Sequence, residues 1–251
     1  MNRLLTANLI RLRKNRGFWF FTLCSLIVTI WYVAFGVEII GVQSVEASPE
    51  EFLFFVQAAV PALCLLFVGF FLGTEYSNKT IRNKLAVGHT RKDVYIASLL
   101  TVLVITAVMT LAWLLGGMVG IAMRGTTIPV ARVLLGGLVA LFYNSAFTAL
   151  LTAMSMLIAK KAISMLVQIE LTRFLLTGML MVMLIAGMME GRGKILFEIL
   201  ANVVPIGQWM LSTNLFPCQA AAMPLQMLAS VVLVVLFTFL GIKMFEEKEI
   251  K

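Results

Sequence analysis

Six long apolar stretches are the feature of this sequence that most limits the folds it can adopt. Each is longer than the roughly 20 residues that a helix needs to cross a hydrocarbon layer of about 30 Å. They predict an all-α polytopic membrane protein with six transmembrane helices in a single transmembrane domain. The predicted spans are 18–40, 52–72, 94–123, 133–159, 162–189 and 225–245. Pro61 is expected to kink or soften the second span.

The composition excludes several other classes of protein. Hydrophobic residues make up 61% of the chain and charged residues 13%, whereas a soluble domain carries about 45–50% and about 25%. Too few polar side chains remain to cover a soluble surface, which excludes a soluble enzyme and a disordered chain. Cys24, Cys64 and Cys218 are too scattered for a disulfide framework. With His89 as the single histidine, no metal site is expected.

The positive charges predict the orientation in the membrane. The net charge is +8. In a soluble protein this value would suggest nucleic-acid binding, but here the cations lie between apolar stretches, so we expect no nucleic-acid partner. Of the 20 Lys and Arg residues, Arg124, Arg132, Arg192 and Lys194 lie on the far side and Arg173 lies within a span. The others lie on the side of the N-terminus, so both termini are predicted to be cytoplasmic.

A short amphipathic helix is predicted between the second and third spans. Ser77 or Asn78 can serve as its N-cap, and Gly88 can end it. Ile81 and Leu85 would share one face. Such a helix could transmit a displacement to the two membrane helices that flank it. Alternatively, it could be an interfacial linker with its apolar face on lipid.

The same segment, 74–93, carries the most informative motif. The run Gly-Thr-Glu-Tyr-x-x-x-Thr-Ile-Arg-Asn-Lys-Leu-x-x-Gly-x-x-Arg, from Gly73 to Arg91, resembles the cytoplasmic segment of ABC-2-type transporter permeases. In that family the segment forms the coupling helix that docks onto an ATP-binding subunit. The six-span layout and the long outer segment before the last span also resemble the family. The resemblance implies an ATPase contact through Glu75, Thr80, Ile81, Arg82, Lys84, Leu85 and Arg91.

The resemblance also implies partners and a function. Expected partners are two P-loop ATPase subunits and a second permease subunit, identical or related, in the lipid bilayer. No Gly-x-x-x-x-Gly-Lys-Ser/Thr motif occurs in the sequence, so ATP and Mg would be bound by the partner, and this chain would have no catalytic site, cofactor or metal. The implied function is ATP-driven export across the bacterial plasma membrane. The cargo would be an amphiphilic peptide, as in bacteriocin immunity, or a drug, as in multidrug export, or a lipid-like molecule.

Two further segments are predicted to lie at the membrane surfaces. Residues 1–17 form an amphipathic helix that rests on the anionic inner surface of the bilayer, and in ABC-2 permeases the comparable segment also touches the ATPase. The outer segment 190–224 contains an apolar piece broken by Pro205, which is typical of a re-entrant or interfacial helix. Trp209 is interpreted as an interfacial anchor.

One intramembrane charge pair, Glu170 and Arg173, lies in the fifth span. The i, i+3 spacing allows the two to pair on one helix face. The pair, together with Gln168, could face a dimer seam or transport path, or it could be a self-neutralised structural pair against neighbouring helices. Elsewhere, Gly73 and Gly116 belong to small-residue pairs that predict close helix contact.

Two other classes of membrane protein agree less well with the sequence. An ATP-independent secondary carrier or channel usually shows broken spans or paired charges at matching depth in two halves. Here the charge pair occurs in one span and no internal repeat is visible. A membrane enzyme would need reactive groups gathered at one depth, and the sequence contains a single histidine.

Overall fold

The computed structural model describes residues 2–40, 49–126, 128–213 and 218–248, and these residues form helices and short connections without a strand. The helices are α1 (Asn2–Lys14), α2 (Arg16–Ile40), α3 (Pro49–Val56), α4 (Ala59–Ser77), α5 (Thr80–Ala86), α6 (Arg91–Met123), α7 (Val130–Leu157), α8 (Lys161–Met188), α9 (Arg192–Val203), α10 (Pro205–Ser212) and α11 (Met223–Glu247).

Six segments of the described chain are long and apolar enough to cross a membrane. The protein is therefore a multi-pass all-α membrane protein, which confirms the predicted fold class. The segments are Arg16–Gly36, Phe52–Ser77, Arg91–Met123, Val130–Leu157, Lys161–Met188 and Met223–Glu247.

The second crossing segment is broken between α3 and α4. Pro61 has no backbone N–H, so it cannot bond to the carbonyl of Gln57 one turn earlier. That carbonyl instead accepts from the N–H of Val60 at 3.0 Å, in a tighter turn. The kink expected at Pro61 therefore lies one turn before it. α4 then continues to Ser77, beyond the predicted span 52–72.

The two ends of the helix bundle carry different accessory helices. At one end, Arg91 at the start of α6 bonds to the last turn of α11, and Lys248 bonds to the carbonyl of Met156 near the end of α7. We call this the elbow end, because α5 lies there. At the other end α9 and α10 are bent by 102°, and we call this pair the cap. The cap lies within the predicted outer segment 190–224, of which residues 214–217 are outside the described residues.

Small residues allow the helices to approach closely. A Cβ added at Gly116 of α6 would lie 2.7 Å from the carbonyl oxygen of Leu26 in α2. One added at Gly73 of α4 would lie 2.7 Å from Cγ of Lys161 in α8. Both predicted close contacts are therefore confirmed.

Candidate functional site

The elbow consists of α5 and the turns that join it to α4 and α6. Because α4 runs through Ser77, neither Ser77 nor Asn78 is the N-cap of α5, and that prediction is wrong. Lys79 takes the N-cap position with φ of 54°, in the left-handed region. Gly88, with φ of 96°, follows the C-terminus of α5, as predicted.

A buried carboxylate ties the elbow to two other helices. Glu75, in the last turn of α4, is fully buried. Its Oε1 lies 2.8 Å from Nη2 of Arg11 in α1, and its Oε2 lies 3.1 Å from Nζ of Lys84 in α5. The Lys84 ammonium also donates to Oδ1 of Asn8 at 3.0 Å. We call Asn8, Arg11, Glu75 and Lys84 the elbow hub.

The hub gives two of the residues predicted to contact the ATPase a role inside the chain. Glu75 has no exposed surface, and the Lys84 side chain is only 13% exposed. A buried carboxylate is stable only when it is paired and hydrogen-bonded, so both side chains are needed inside the chain. They position α5 against α4 and α1.

The apolar face of α5 packs onto the protein. Ile81 is 1% exposed and lies in a cluster with Leu4 of α1, Tyr95 of α6 and Phe245 of α11. Leu85 is partly buried against the same cluster. Ile81 and Leu85 share one face, as predicted, and this face contacts α1, α6 and α11 of the same chain. The alternative in which this face lies on lipid is wrong.

Arg91 also has a role different from the predicted one. Its Nη1 donates to the carbonyl of Glu246 at 2.8 Å, to that of Phe245 at 3.2 Å and to that of Lys248. These carbonyls belong to the last turn and the C-cap of α11, where a cation is favourable. The side chain expected to touch the ATPase therefore caps the last helix.

A second cluster at the elbow end was not predicted from the sequence. The ammonium of Lys248 donates to the hydroxyl of Tyr76 at 2.9 Å and to the carbonyl of Met156 at 3.0 Å. The hydroxyl of Tyr76 also donates to the carbonyl of Met156. Burial and the nearby charge of Arg91 lower the pKa of Lys248 to about 8. Lys248 and Tyr76 are 172 residues apart, so no local pattern signals their contact.

What remains exposed on α5 forms its outer face. Of the predicted contacts, only Arg82 is exposed, while Thr80 and Leu85 are partly buried. Val87, at the C-cap of α5, is 80% exposed. Val87 stands at an unspecified position of the motif from Gly73 to Arg91, so the motif does not point to it. We call the outer face the elbow surface, and it consists of Lys79, Arg82, Asn83 and Val87.

The N-terminal helix α1 is amphipathic, as predicted, but its inner face lies on protein. Leu4, Asn8 and Leu12 recur every four residues and are 5%, 3% and 3% exposed. Arg13 and Lys14 are exposed. A role in binding the bilayer surface stays a prediction for this outer side of the helix.

The intramembrane pair forms as predicted. Nη2 of Arg173 lies 2.6 Å from Oε2 of Glu170, and Nε lies 2.9 Å from the same oxygen. The two side chains are 74% and 61% exposed, so the pair does not face neighbouring helices of this chain. Gln168 is buried and donates to Ser155 and Ser164. Its predicted association with the pair is wrong, because it lies on the packed side of α8.

Trp209, interpreted from the sequence as an interfacial anchor, is partly buried against the protein. Its indole Nε1 donates to the carbonyl of Phe54 at 3.1 Å, and its ring packs against the main apolar core. The indole thereby fixes α10 of the cap against α3.

Comparison with models of known protein families finds no match to this chain, and comparison with curated proteins finds no similar sequence. The resemblance to ABC-2-type permeases therefore depends on the motif from Gly73 to Arg91 and on the helix layout.

Proposed function

We propose that this chain is the membrane-spanning permease subunit of an ATP-driven exporter and that a separate ATPase subunit docks on the elbow surface. One observation carries the proposal. The inner face of α5 is ion-paired and buried within the chain, whereas Arg82 and Val87 on its outer side are exposed. Arginine is enriched in protein–protein interfaces, and a partner that covers Val87 would remove its apolar surface from water.

The elbow hub supports a mechanical role for α5. A displacement of α5 would act on α4 through the contact of Lys84 with Glu75 and on α1 through Arg11. It would act on α6 and α11 through the buried side chain of Ile81. ATP binding by the partner would then move the crossing helices as rigid bodies and change which side of the membrane is open.

The remaining parts of the proposal follow from the same resemblance. Two ATPase subunits would bind ATP and Mg, and a second permease subunit would complete the transporter. In a bacterial plasma membrane the elbow end would face the cytoplasm, as its basic residues favour. An ion pair is costly in lipid, so the second permease subunit would cover the exposed pair of Glu170 and Arg173. The proposed cargo is an amphiphilic peptide, drug or lipid-like molecule.

Copurification with the ATPase tests the proposal. Expressed with its neighbouring genes and purified in mild detergent, the chain should retain a P-loop ATPase. Replacing both Arg82 and Val87 of the elbow surface by Glu should release the ATPase subunit and abolish transport without affecting membrane insertion. Lys243→Glu is the matched control, because Lys243 is exposed near the same end but lies on α11.

Two results would contradict the proposal. One is that the double variant still retains the ATPase and still transports. The other is that the purified chain transports in liposomes without ATP, which would favour a secondary carrier or channel.

A further inference from the structure

One side of α8 is exposed along the helix although it carries charged residues. α8 and α11 are the two crossing helices that are least buried within the described chain. The outer face of α11 exposes apolar side chains such as Leu228, Val232 and Phe239, so it suits contact with lipid. α8 differs, because among the six described crossing segments it alone has exposed charged residues more than two helical turns from either end. These residues are Glu170 and Arg173.

The pair of Glu170 and Arg173 lies well inside the crossing segment. At a rise of about 1.5 Å per residue, Glu170 lies about 14 Å and Arg173 about 18 Å from the start of α8, and both lie more than about 20 Å from its end. Charged side chains within membrane-spanning helices almost always face the inside of a bundle or a water-filled cavity. The described helices of this chain leave both side chains exposed, so another molecule is needed to cover them.

The pair does not use all of its hydrogen-bonding groups. Nε and Nη2 of Arg173 both donate to the same oxygen of Glu170, Oε2. Oε1 of Glu170 and Nη1 of Arg173 have no partner among the described residues. An arginine–carboxylate contact is strongest when two parallel bonds reach both oxygens. One acceptor and one donor therefore remain available to a second pair of the same kind.

The exposed side of α8 also has the spacing of a seam between two helices. Alternating steps of four and three residues connect a row of exposed residues: Leu166, Glu170, Arg173, Thr177, Leu180 and Leu184. This is the a and d pattern of a seven-residue repeat, which joins parallel helices in a left-handed crossing. Polar residues at such positions fix the register and the number of helices. The row therefore favours a second helix over lipid as the neighbour of this face.

A second copy of α8 would complete the hydrogen bonds of the pair. Two copies of one chain insert into the membrane in the same orientation, so a two-fold axis along the membrane normal makes the two α8 helices parallel and places like residues at the same depth. Glu170 and Arg173 are separated by about 4.5 Å along the helix axis, which is within the length of an arginine side chain. Nη1 of Arg173 in each copy can then donate to Oε1 of Glu170 in the other.

We propose that α8 is the contact between two identical copies of this chain and that their Glu170–Arg173 pairs form a closed ring of four alternating charges in the seam. The proposal rests on the proposed function in identifying the second permease subunit, which it names as a second copy. Association of the copies needs no ATPase, so the seam is testable on this chain alone.

Thiol cross-linking of the full chain, expressed alone in a membrane, tests the seam. Cys24, Cys64 and Cys218 are replaced by Ala in every variant, so that each chain carries one introduced thiol. Thr177→Cys places this thiol on the seam, and an oxidant should link two copies into a covalent dimer. Leu236→Cys is the matched control, because Leu236 is 45% exposed on α11, and it should leave the chains unlinked.

Exchange of charges between copies tests the ring. Glu170→Arg gives a chain with two cations in the row, and Arg173→Glu gives a chain with two carboxylates. In the Thr177→Cys background, either variant alone should form about tenfold less covalent dimer, since like charges would meet in the seam. Coexpression of the two variants should restore the link as a mixed dimer, because opposite charges meet again.

A second charge exchange is the control for the ring. Lys194 and Glu198 form an i, i+4 ion pair on α9 of the cap. Lys194→Glu and Glu198→Lys change that pair in the same way, and neither should alter cross-linking through Thr177→Cys.

Four results would overturn the proposal. They are the absence of a covalent dimer with Thr177→Cys, a dimer linked through Leu236→Cys instead, no recovery when the two charge variants are coexpressed, and a link from Thr177→Cys to a different protein. The last result would mean that another chain covers α8.

The two proposals fail separately. A covalent dimer that copurifies with no ATPase supports the seam and contradicts the proposed docking of an ATPase. An ATPase that copurifies with chains that do not cross-link supports the docking and contradicts the seam.

Discussion

The fully buried carboxylate of Glu75 allows a test of how the elbow is held to the membrane helices. Its two cationic partners differ in exposure, since the Arg11 side chain is 36% exposed and that of Lys84 is 13% exposed. One variant combines Arg11→Met with Lys84→Met and so removes both cations. A second variant adds Glu75→Gln to these two changes and so removes the negative charge as well.

The expected magnitudes follow from the geometry of the hub. Lys84→Met alone removes the ammonium that donates to both carboxylate oxygens of Glu75 and to Oδ1 of Asn8. Because Glu75 stays paired with Arg11 at 2.8 Å, the change should cost about 1.5–3 kcal/mol. Removing both cations leaves the buried carboxylate without a counter-charge. This should cost about 3–5 kcal/mol, or roughly 6–20 °C in the unfolding midpoint of a chain of this size. Adding Glu75→Gln should recover most of that loss, since no buried charge remains.

Thermal unfolding in detergent, followed by tryptophan fluorescence, measures the three midpoints. Glu75→Gln in the otherwise unchanged chain is the control, and it should be milder than the double cation removal because Arg11 and Lys84 can both turn toward solvent. If Glu75→Gln further destabilises the chain that lacks both cations, then Glu75 is stabilised by something other than Arg11 and Lys84. The electrostatic account of the hub would then be wrong.

Two further predictions concern helix packing and the Lys248 cluster. Gly116→Val should destabilise the bundle by about 1–3 kcal/mol through overpacking against α2. Gly178→Ala, where no described atom lies within 4 Å of the added Cβ, should leave the unfolding midpoint unchanged or raise it. The pKa of Lys248 is about 8 in the folded chain against an ordinary 10.5, so between these values the unfolded chain binds the proton more readily and stability should rise with pH. Thermal unfolding from pH 7 to about pH 10 measures this rise, and Lys248→Met should flatten it; an equal slope in both chains would contradict the assignment.

The sequence predicted the parts of this structure that depend on local hydrophobicity and on backbone chemistry. The six crossing segments follow from apolar length alone. The break in the second one follows from the missing N–H of Pro61, and the end of α5 follows from the conformational freedom of Gly88. The ion pair of Glu170 and Arg173 follows from their i, i+3 spacing. Each of these signals lies within a few residues of its effect.

The roles of the elbow residues could not be predicted in the same way. Helical periodicity distinguishes the faces of α5, but it does not say which face meets α1. In the structure Asn8 and Arg11 reach back across more than sixty residues of chain to meet Glu75 and Lys84. A residue of a docking motif can therefore serve to position the segment within the chain without contacting the partner. Under the proposed function, loss of the elbow hub should weaken both folding and coupling to the ATPase. Loss of Arg82 should weaken coupling alone.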